Sequence, residues 1–120
     1  MSRHQYYLQL RKDILEERTT CDQQVALQLA SLALQAEMGD YEAESMGQNY
    51  FLPEHYVPTA AIDILGVPTV RQRVPPMHGM HQGMDELQAE LEFLMVGALL
   101  GKCKLSCEYH QHFLHRDSFE

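Results

Sequence analysis

Apolar residues occupy one stretch of the chain on every side. Between Asp22 and Glu37 no residue carries a charge. Large and small apolar side chains share this stretch and fall on more than one helical face: Val25, Ala26, Leu27, Leu29, Ala30, Leu32, Ala33, Leu34, Ala36 and Met38. This pattern indicates a helix that is buried nearly all round, with Leu29 and Leu32 in the core. We predict a central helix from Asp22 to Met38, about 25 Å long, around which the rest of the chain packs.

The ends of this helix are encoded locally. Thr20 and Gln23 fit a capping box, and Asp22 is a competing N-cap. Gly39 supplies the stop, since glycine is favoured just beyond a helix C-terminus.

Three further helices follow from the apolar spacing. Residues 2–17 place Tyr7, Leu10 and Ile14 on one stripe and charged residues, Arg11 and Asp13 among them, on a solvated face. A short helix starts at Pro58 and Thr59 and ends at Gly66. The last helix is capped by Asp85 with Gln88, and its predicted buried stripe consists of Leu87, Leu91, Leu94 and Ala98, widened by Phe93 and Met95.

The segments between these helices lack a sustained period. Residues 40–58 hold four aromatic residues, which predicts a structured loop with one helical turn near Pro53. Residues 67–84 contain Pro75, Pro76 and Gly79, which favours a mobile connection. Together these features predict an all-α fold, a small up-down helical bundle in residues 1–100 followed by an irregular, disordered tail in residues 101–120.

Charge and cysteine content limit the classes of partner and the cellular setting that we expect. The formal net charge is -8, which disfavours nucleic acid and anionic lipid because both reward a basic surface. Three cysteines, an odd number, favour a reducing intracellular setting without disulfides. No segment is long and apolar enough to span a membrane.

Candidate nucleophiles do not form a known catalytic motif. A tyrosine phosphatase loop needs a cysteine followed six positions later by arginine, so that a thiolate and a guanidinium meet around phosphate. Cys21, Cys103 and Cys107 are instead followed at that spacing by Leu27, Tyr109 and Phe113. A phosphate-cradling glycine loop, a GxSxG elbow and an HExxH pair are also missing from the sequence. We therefore expect no enzyme activity, no catalytic residues and no cofactor, and we interpret Cys21 as a small, half-buried apolar residue.

Histidines and cysteines raise a metal hypothesis in two places. His78 and His81 would align as ligands only on a helix, which the prolines of residues 67–84 disfavour. The tail offers a second set of soft ligands: Cys103, Cys107, His110, His112 and His115. Only two residues separate the two cysteines from the first of the three histidines, which is too short a spacer for a typical zinc site, so we predict no metal-binding residues. His55 is interpreted as a packing or hydrogen-bonding residue.

Four blocks resemble a known family in order and spacing. They are YYLQLRKDILEER, VALQLASLALQAEMGDY, YFLPEHYVP and AELEFLMV, spanning Tyr6 to Val96. Together they closely resemble the central, acyl-CoA-binding-protein-like helical lobe of FERM domains. The nearest likeness is to FERM-and-PDZ scaffold proteins and to FERM-containing non-receptor tyrosine phosphatases. After Val96 the chain departs from the family, which usually continues to a Tyr-Gly pair, so we expect an altered or truncated product with an unrelated tail.

The resemblance implies a role that is not catalytic. It implies a lobe that sits between two others and helps to link membrane proteins to the cortical cytoskeleton or to cell-junction and polarity complexes, at the cytoplasmic face of the plasma membrane. The expected partners are adjacent FERM lobes, cytoplasmic tails of membrane proteins and junction or cytoskeletal proteins. No site residue of the family transfers to this chain. Two alternatives remain open: a bundle that binds a small molecule such as acyl-CoA, and a truncated product without function.

Overall fold

A computed structural model describes residues 2–16 and 22–98. Six α-helices and one 3₁₀ turn form this part of the chain, and none of it is a strand. The elements are α1 Arg3–Leu15, α2 Gln23–Met38, α3 Ala43–Met46, the 3₁₀ turn Pro53–His55, α4 Thr59–Leu65, α5 Val67–Gly79 and α6 Glu86–Ala98. The predicted all-α fold is confirmed.

Helix α2 is the centre of the structure, as predicted. It packs against α4, α5 and α6, while α1 packs against α6. Every residue from Ala26 to Gln35 is buried except Gln28, and both Leu29 and Leu32 are 1% exposed. Gly39 ends the helix with a φ of 81°, a left-handed conformation that glycine adopts without a steric penalty. Asp22 occupies the N-cap without a side-chain bond, and Thr20 lies outside the described residues.

Two apolar clusters meet on α2. Leu29, Leu32 and Ala33 face the first cluster, whose other members are Tyr7, Leu10, Ile14, Phe93 and Leu94 from α1 and α6. Ala26, Leu27, Ala30 and Leu34 face the second, whose other members are Phe51, Val57, Ala61, Val70 and Val74. Because each side of α2 contributes to its own cluster, most of its circumference is buried, and Gln24 and Gln28 form the narrow polar edge that stays exposed.

Helix α1 matches the predicted stripe but not the predicted solvated face. Tyr7, Leu10 and Ile14 are all buried. Asp13, predicted to face solvent, is also buried, and one of its carboxylate oxygens accepts a hydrogen bond from Nε2 of Gln9 at 3.1 Å. The helix starts with a complete capping box between Ser2 and Gln5.

The predicted mobile connection over residues 67–84 is wrong, because Val67–Gly79 forms α5. Pro68 falls in the first turn, where proline is tolerated. Pro75 and Pro76 each remove a helical donor, yet the helix persists because Val70, Val74 and His78, spaced four residues apart, are completely buried. Tertiary packing against α2 outweighs the local cost of the prolines.

Helix α6 is capped by Asp85 as predicted, but only part of its predicted stripe is buried. The backbone N–H of Gln88 donates to Oδ1 of Asp85 at 2.8 Å. The buried stripe consists of Ala89, Glu90, Phe93, Leu94 and Gly97. Leu87 and Met95, predicted to be buried, are 36% and 55% exposed, and Leu91 is half-buried. The prediction is confirmed for Phe93 and Leu94 and wrong for Leu87 and Met95, because two small residues and a charged one take core positions that a hydrophobic pattern assigns to larger apolar residues.

Candidate functional site

The segment that follows α2 folds back across it as a structured loop. Phe51 is buried, and its ring makes edge contacts with the rings of Tyr50 and Tyr56, at 5.0 and 6.0 Å between centroids. The 3₁₀ turn begins at Pro53, as predicted. Helix α3 was not predicted, since four residues are too few to show a period. The aromatic residues hold this loop against the bundle.

Glu37, near the end of α2, joins the loop to both α1 and α2. Its Oε2 accepts a hydrogen bond from the hydroxyl of Tyr7 at 3.0 Å, and its Oε1 accepts one from Tyr56 at 2.9 Å. Nε of Arg11 lies 3.1 Å from Oε2. Burial, reinforced by the Glu37 carboxylate, raises the pKa of Tyr56 to about 12 and also raises that of Tyr7. Both hydroxyls therefore stay protonated as donors.

Arg11 contributes to the same junction, although the sequence placed it on a solvated face. It donates to the backbone carbonyl of His55 at 2.7 Å, and its guanidinium carbon lies 4.7 Å from the ring centroid of Tyr56. His55 makes this contact through its backbone carbonyl, and its side chain is exposed. Sequence reasoning missed this junction because nothing in the local pattern links positions 11, 37 and 55.

A second polar junction holds the end of α5. His78 is fully buried; its Nε2 lies 2.8 Å from the carbonyl oxygen of Gly39 and its Nδ1 lies 2.8 Å from the hydroxyl of Tyr50. A carbonyl only accepts, so Nε2 donates and Nδ1 accepts from Tyr50, which is the pattern of a neutral imidazole. His81, in the turn after α5, lies 2.9 Å from Oγ of Ser31. Burial lowers the pKa of both histidines.

Between these junctions lies an open groove of about 270 Å³, which we call the α2 groove. The residues that line it are Met38, Asn49, Tyr50, Phe51, Leu52, His55 and Tyr56. Met38 is 40% exposed and Leu52 is 49% exposed, whereas Tyr50 and Tyr56 are held in place by the contacts described above. The exposed apolar area of Met38 and Leu52 lies here beside a similar amount of polar surface. The groove contains no nucleophile paired with a base.

Basic side chains in the described part of the chain are largely engaged in internal contacts. Arg3 contacts Glu90, Arg71 donates to the carbonyl of Phe51, and Arg73 donates to the side chain of Gln24. A site for nucleotide phosphates would need several of these cations gathered on one surface. Cys21 and the tail set of Cys103, Cys107, His110, His112 and His115 lie outside the described residues.

No helix within residues 2–16 and 22–98 is long and apolar enough to cross a membrane.

Comparisons with a family model and with individual proteins agree on one family. Residues 1–98 match the model of the FERM central domain. The chain is 50% identical over 110 residues to Mus musculus tyrosine-protein phosphatase non-receptor type 13, covering 92% of this chain and 4% of the phosphatase. It is 45% identical over 97 residues to Mus musculus FERM and PDZ domain-containing protein 2, covering 80% of this chain and 7% of that protein. It is 35% identical over 95 residues to Mus musculus tyrosine-protein phosphatase non-receptor type 14, covering 78% of this chain and 8% of that protein.

The matches cover most of this chain but only a small part of each relative. The chain spans less than a tenth of the length of each of these curated relatives. The alignment with the type 13 phosphatase is longer than the 98 residues that the family model matches, so it includes part of the segment after Ala98. The matched family, the all-helical fold and the central buried helix agree with the sequence resemblance. This chain belongs to the FERM central domain family.

Proposed function

We propose that this chain is a non-catalytic protein-interaction module, the central lobe of a FERM domain, that serves scaffolding between membrane proteins and the cortical cytoskeleton or cell-junction and polarity complexes. The observation that carries the proposal is the match of residues 1–98 to the FERM central domain. The relative named as a FERM and PDZ domain-containing protein supports it, because that name describes an assembly of interaction domains.

The α2 groove is the surface we assign to this role. Met38 and Leu52 present apolar area on a frame that the Glu37 and His78 junctions hold rigid. A preformed surface loses little conformational entropy when it binds, and the aromatic residues of this groove provide large contacts. Its partners would be adjacent FERM lobes, cytoplasmic tails of membrane proteins, or junction and cytoskeletal proteins. The expected location is the cell cortex at the cytoplasmic face of the plasma membrane.

The phosphatase activity in the names of two relatives is not assigned to this chain. A phosphatase loop requires an arginine at the sixth position after its cysteine, and this arginine is missing after each of Cys21, Cys103 and Cys107. We propose that any such activity in a longer protein belongs to sequence outside residues 1–120.

Imaging of the tagged chain in polarised epithelial cells tests the proposal. We expect enrichment at the cell cortex, and we expect Leu52→Asp to abolish it by placing a charge in the α2 groove. Met80→Asp is the matched control, because Met80 is 82% exposed and does not line the groove. Circular dichroism of both variants must show the helix content of the unchanged chain. A uniform distribution of the unchanged chain would contradict the scaffolding role and favour a product without function.

Calorimetric titration with a long-chain acyl-CoA addresses the small-molecule alternative. We expect no saturable binding, because Arg3, Arg11, Arg71 and Arg73 are engaged in internal contacts. Saturable binding at one ligand per chain would favour the acyl-CoA alternative instead.

A further inference from the structure

We propose that His4, Glu86 and Glu90 form a binding site for a divalent cation of the zinc type where α1 meets α6. One ligand atom from each residue can be chosen so that all three lie within 4.8 Å of one another. The site lies apart from the α2 groove and uses none of its residues. We predicted no metal ligands from the sequence, and local spacing could not reveal this set because His4 and Glu90 are 86 positions apart.

Glu90 is the anchor of the proposed site. It lies on the buried face of α6 and is 1% exposed, an unusual place for a carboxylate. Nε of Arg3 lies 3.2 Å from Oε1, while Nδ1 of His4 lies 2.6 Å from Oε2. Arg3 therefore fixes one oxygen and orients the other towards His4. A ligand that a neighbouring group already holds in place binds a metal with less loss of side-chain freedom.

The other two ligands can adjust to a bound cation. The His4 side chain is 49% exposed, and Glu86 is exposed in the first turn of α6. Glu86 and Glu90 are four residues apart, so both carboxylates project from one side of the same helix. The cation would take the place of the hydrogen bond between His4 and Glu90 and would connect α1 to α6.

The ligand set determines which cation fits. One imidazole nitrogen and two carboxylate oxygens, with a solvent ligand at the fourth position, suit Zn²⁺, whereas Ca²⁺ and Mg²⁺ prefer oxygen ligands alone. The two carboxylates outnumber the guanidinium of Arg3, so a dication meets net negative charge.

Titration of the full chain with Zn²⁺ tests the site. Cys103→Ser and Cys107→Ser are introduced together in all samples, so that tail thiols cannot contribute. Calorimetry should give one zinc per chain, and His4→Gln and Glu86→Gln should each weaken binding by at least about tenfold. His55→Gln is the matched control, since His55 is also exposed but lies elsewhere, and it should leave the affinity unchanged.

A second readout identifies the ligands directly. With Co²⁺ as the probe, the visible absorption should show nitrogen and oxygen ligation, and it should disappear in the His4→Gln variant. Equal zinc affinity in all variants, or no binding by the unchanged ligand set, would overturn the proposal. Both substituted side chains are exposed, so the variants should retain the circular dichroism of the parent. If His4→Gln instead lost its helical circular dichroism, Glu86→Gln would provide the test of metal binding in a folded protein.

Discussion

Gly97 of α6 lies so close to Leu10 of α1 that a Cβ atom at position 97 would overlap Cδ2 of that leucine. Leu10 is completely buried, so it cannot move towards solvent to make room. The two helices approach closely because position 97 has no side chain.

Gly97→Ala should therefore destabilise the fold. Alanine favours a helix by about 1 kcal/mol over glycine. Overpacking typically costs about 1–3 kcal/mol, and we expect it to dominate here because the overlap involves a fixed core residue. Urea unfolding should show a net loss of about 1 kcal/mol. Met95→Ala, on the exposed side of the same helix, should change stability by less than about 0.5 kcal/mol.

Leu32→Ala should remove one of the central contacts of the first apolar cluster. Leu32 is 1% exposed and packs among residues of α1, α2 and α6. We expect a loss of about 2–5 kcal/mol in denaturant melts, because the truncation leaves a cavity. Leu8→Ala is the control, since Leu8 is 46% exposed. A loss for Leu32→Ala below about half a kcal/mol would contradict its central position.

Glu37→Gln should weaken the junction of α1, α2 and the loop. Tyr7 and Tyr56 donate to different carboxylate oxygens, and the amide keeps only one of these oxygens, so one of the two hydroxyls loses its acceptor. The expected cost is about 1 kcal/mol, since Glu37 is partly exposed and solvent screens its contact with Arg11.

The same variant has a spectroscopic signature. The pKa of Tyr56, about 12 in the unchanged protein, should fall towards its ordinary value of 10.0 but stay above it, because burial is the larger cause of the shift. Absorbance titration of tyrosinate measures this change. Glu54→Gln, an exposed glutamate near the same loop, should leave the titration unaltered.

Mild acid should destabilise the protein through His78 and His81. Burial lowers the pKa of both below the ordinary value of 6.5, and Asp40 and Glu92 only partly oppose this. Just below pH 6.5 the unfolded chain therefore binds more protons than the folded chain. The contribution of these histidines to the free energy of unfolding is complete above that pH and is lost progressively as the pH falls below it.

Urea melts at about pH 7.5 and pH 5.5 test this dependence. His78→Gln retains a donor for Gly39 and an acceptor for Tyr50, but it cannot be protonated, so it should reduce the loss on acidification. His55→Gln, which alters an exposed histidine, should keep the full loss. An equal loss in both variants would show that other groups control the acid sensitivity.

The sequence predicted best where local pattern and tertiary packing agree. Helix α2 is predictable because apolar residues cover most of its circumference and Gly39 marks its end. Helix α5 is not, because its prolines disfavour a helix locally and only the packing of Val70, Val74 and His78 outweighs them. In α6 the burial of Phe93 and Leu94 is predicted correctly, whereas that of Glu90 depends on Arg3 and His4 from the other end of the chain.

The candidate site was less accessible to sequence reasoning for the same reason. The aromatic residues of the loop were recognised as packing residues, and Phe51 is buried. The roles of Arg11 and Glu37 depend on contacts across 19 to 44 positions, which periodicity does not encode. Long-range pairing of polar groups is specified by the complete fold rather than by neighbouring residues.

Because α2 lies between two apolar clusters, we expect the described bundle to unfold as one cooperative unit. If α1 and α6 separated from it, Leu29 and Leu32 would become exposed; if α4 and α5 separated, Leu27 and Leu34 would. Separation of either pair of helices therefore exposes leucines of α2, the helix against which the remaining pair packs. In hydrogen-exchange experiments, the amides of Ala26 to Gln35 should exchange only through global unfolding, and at one common free energy.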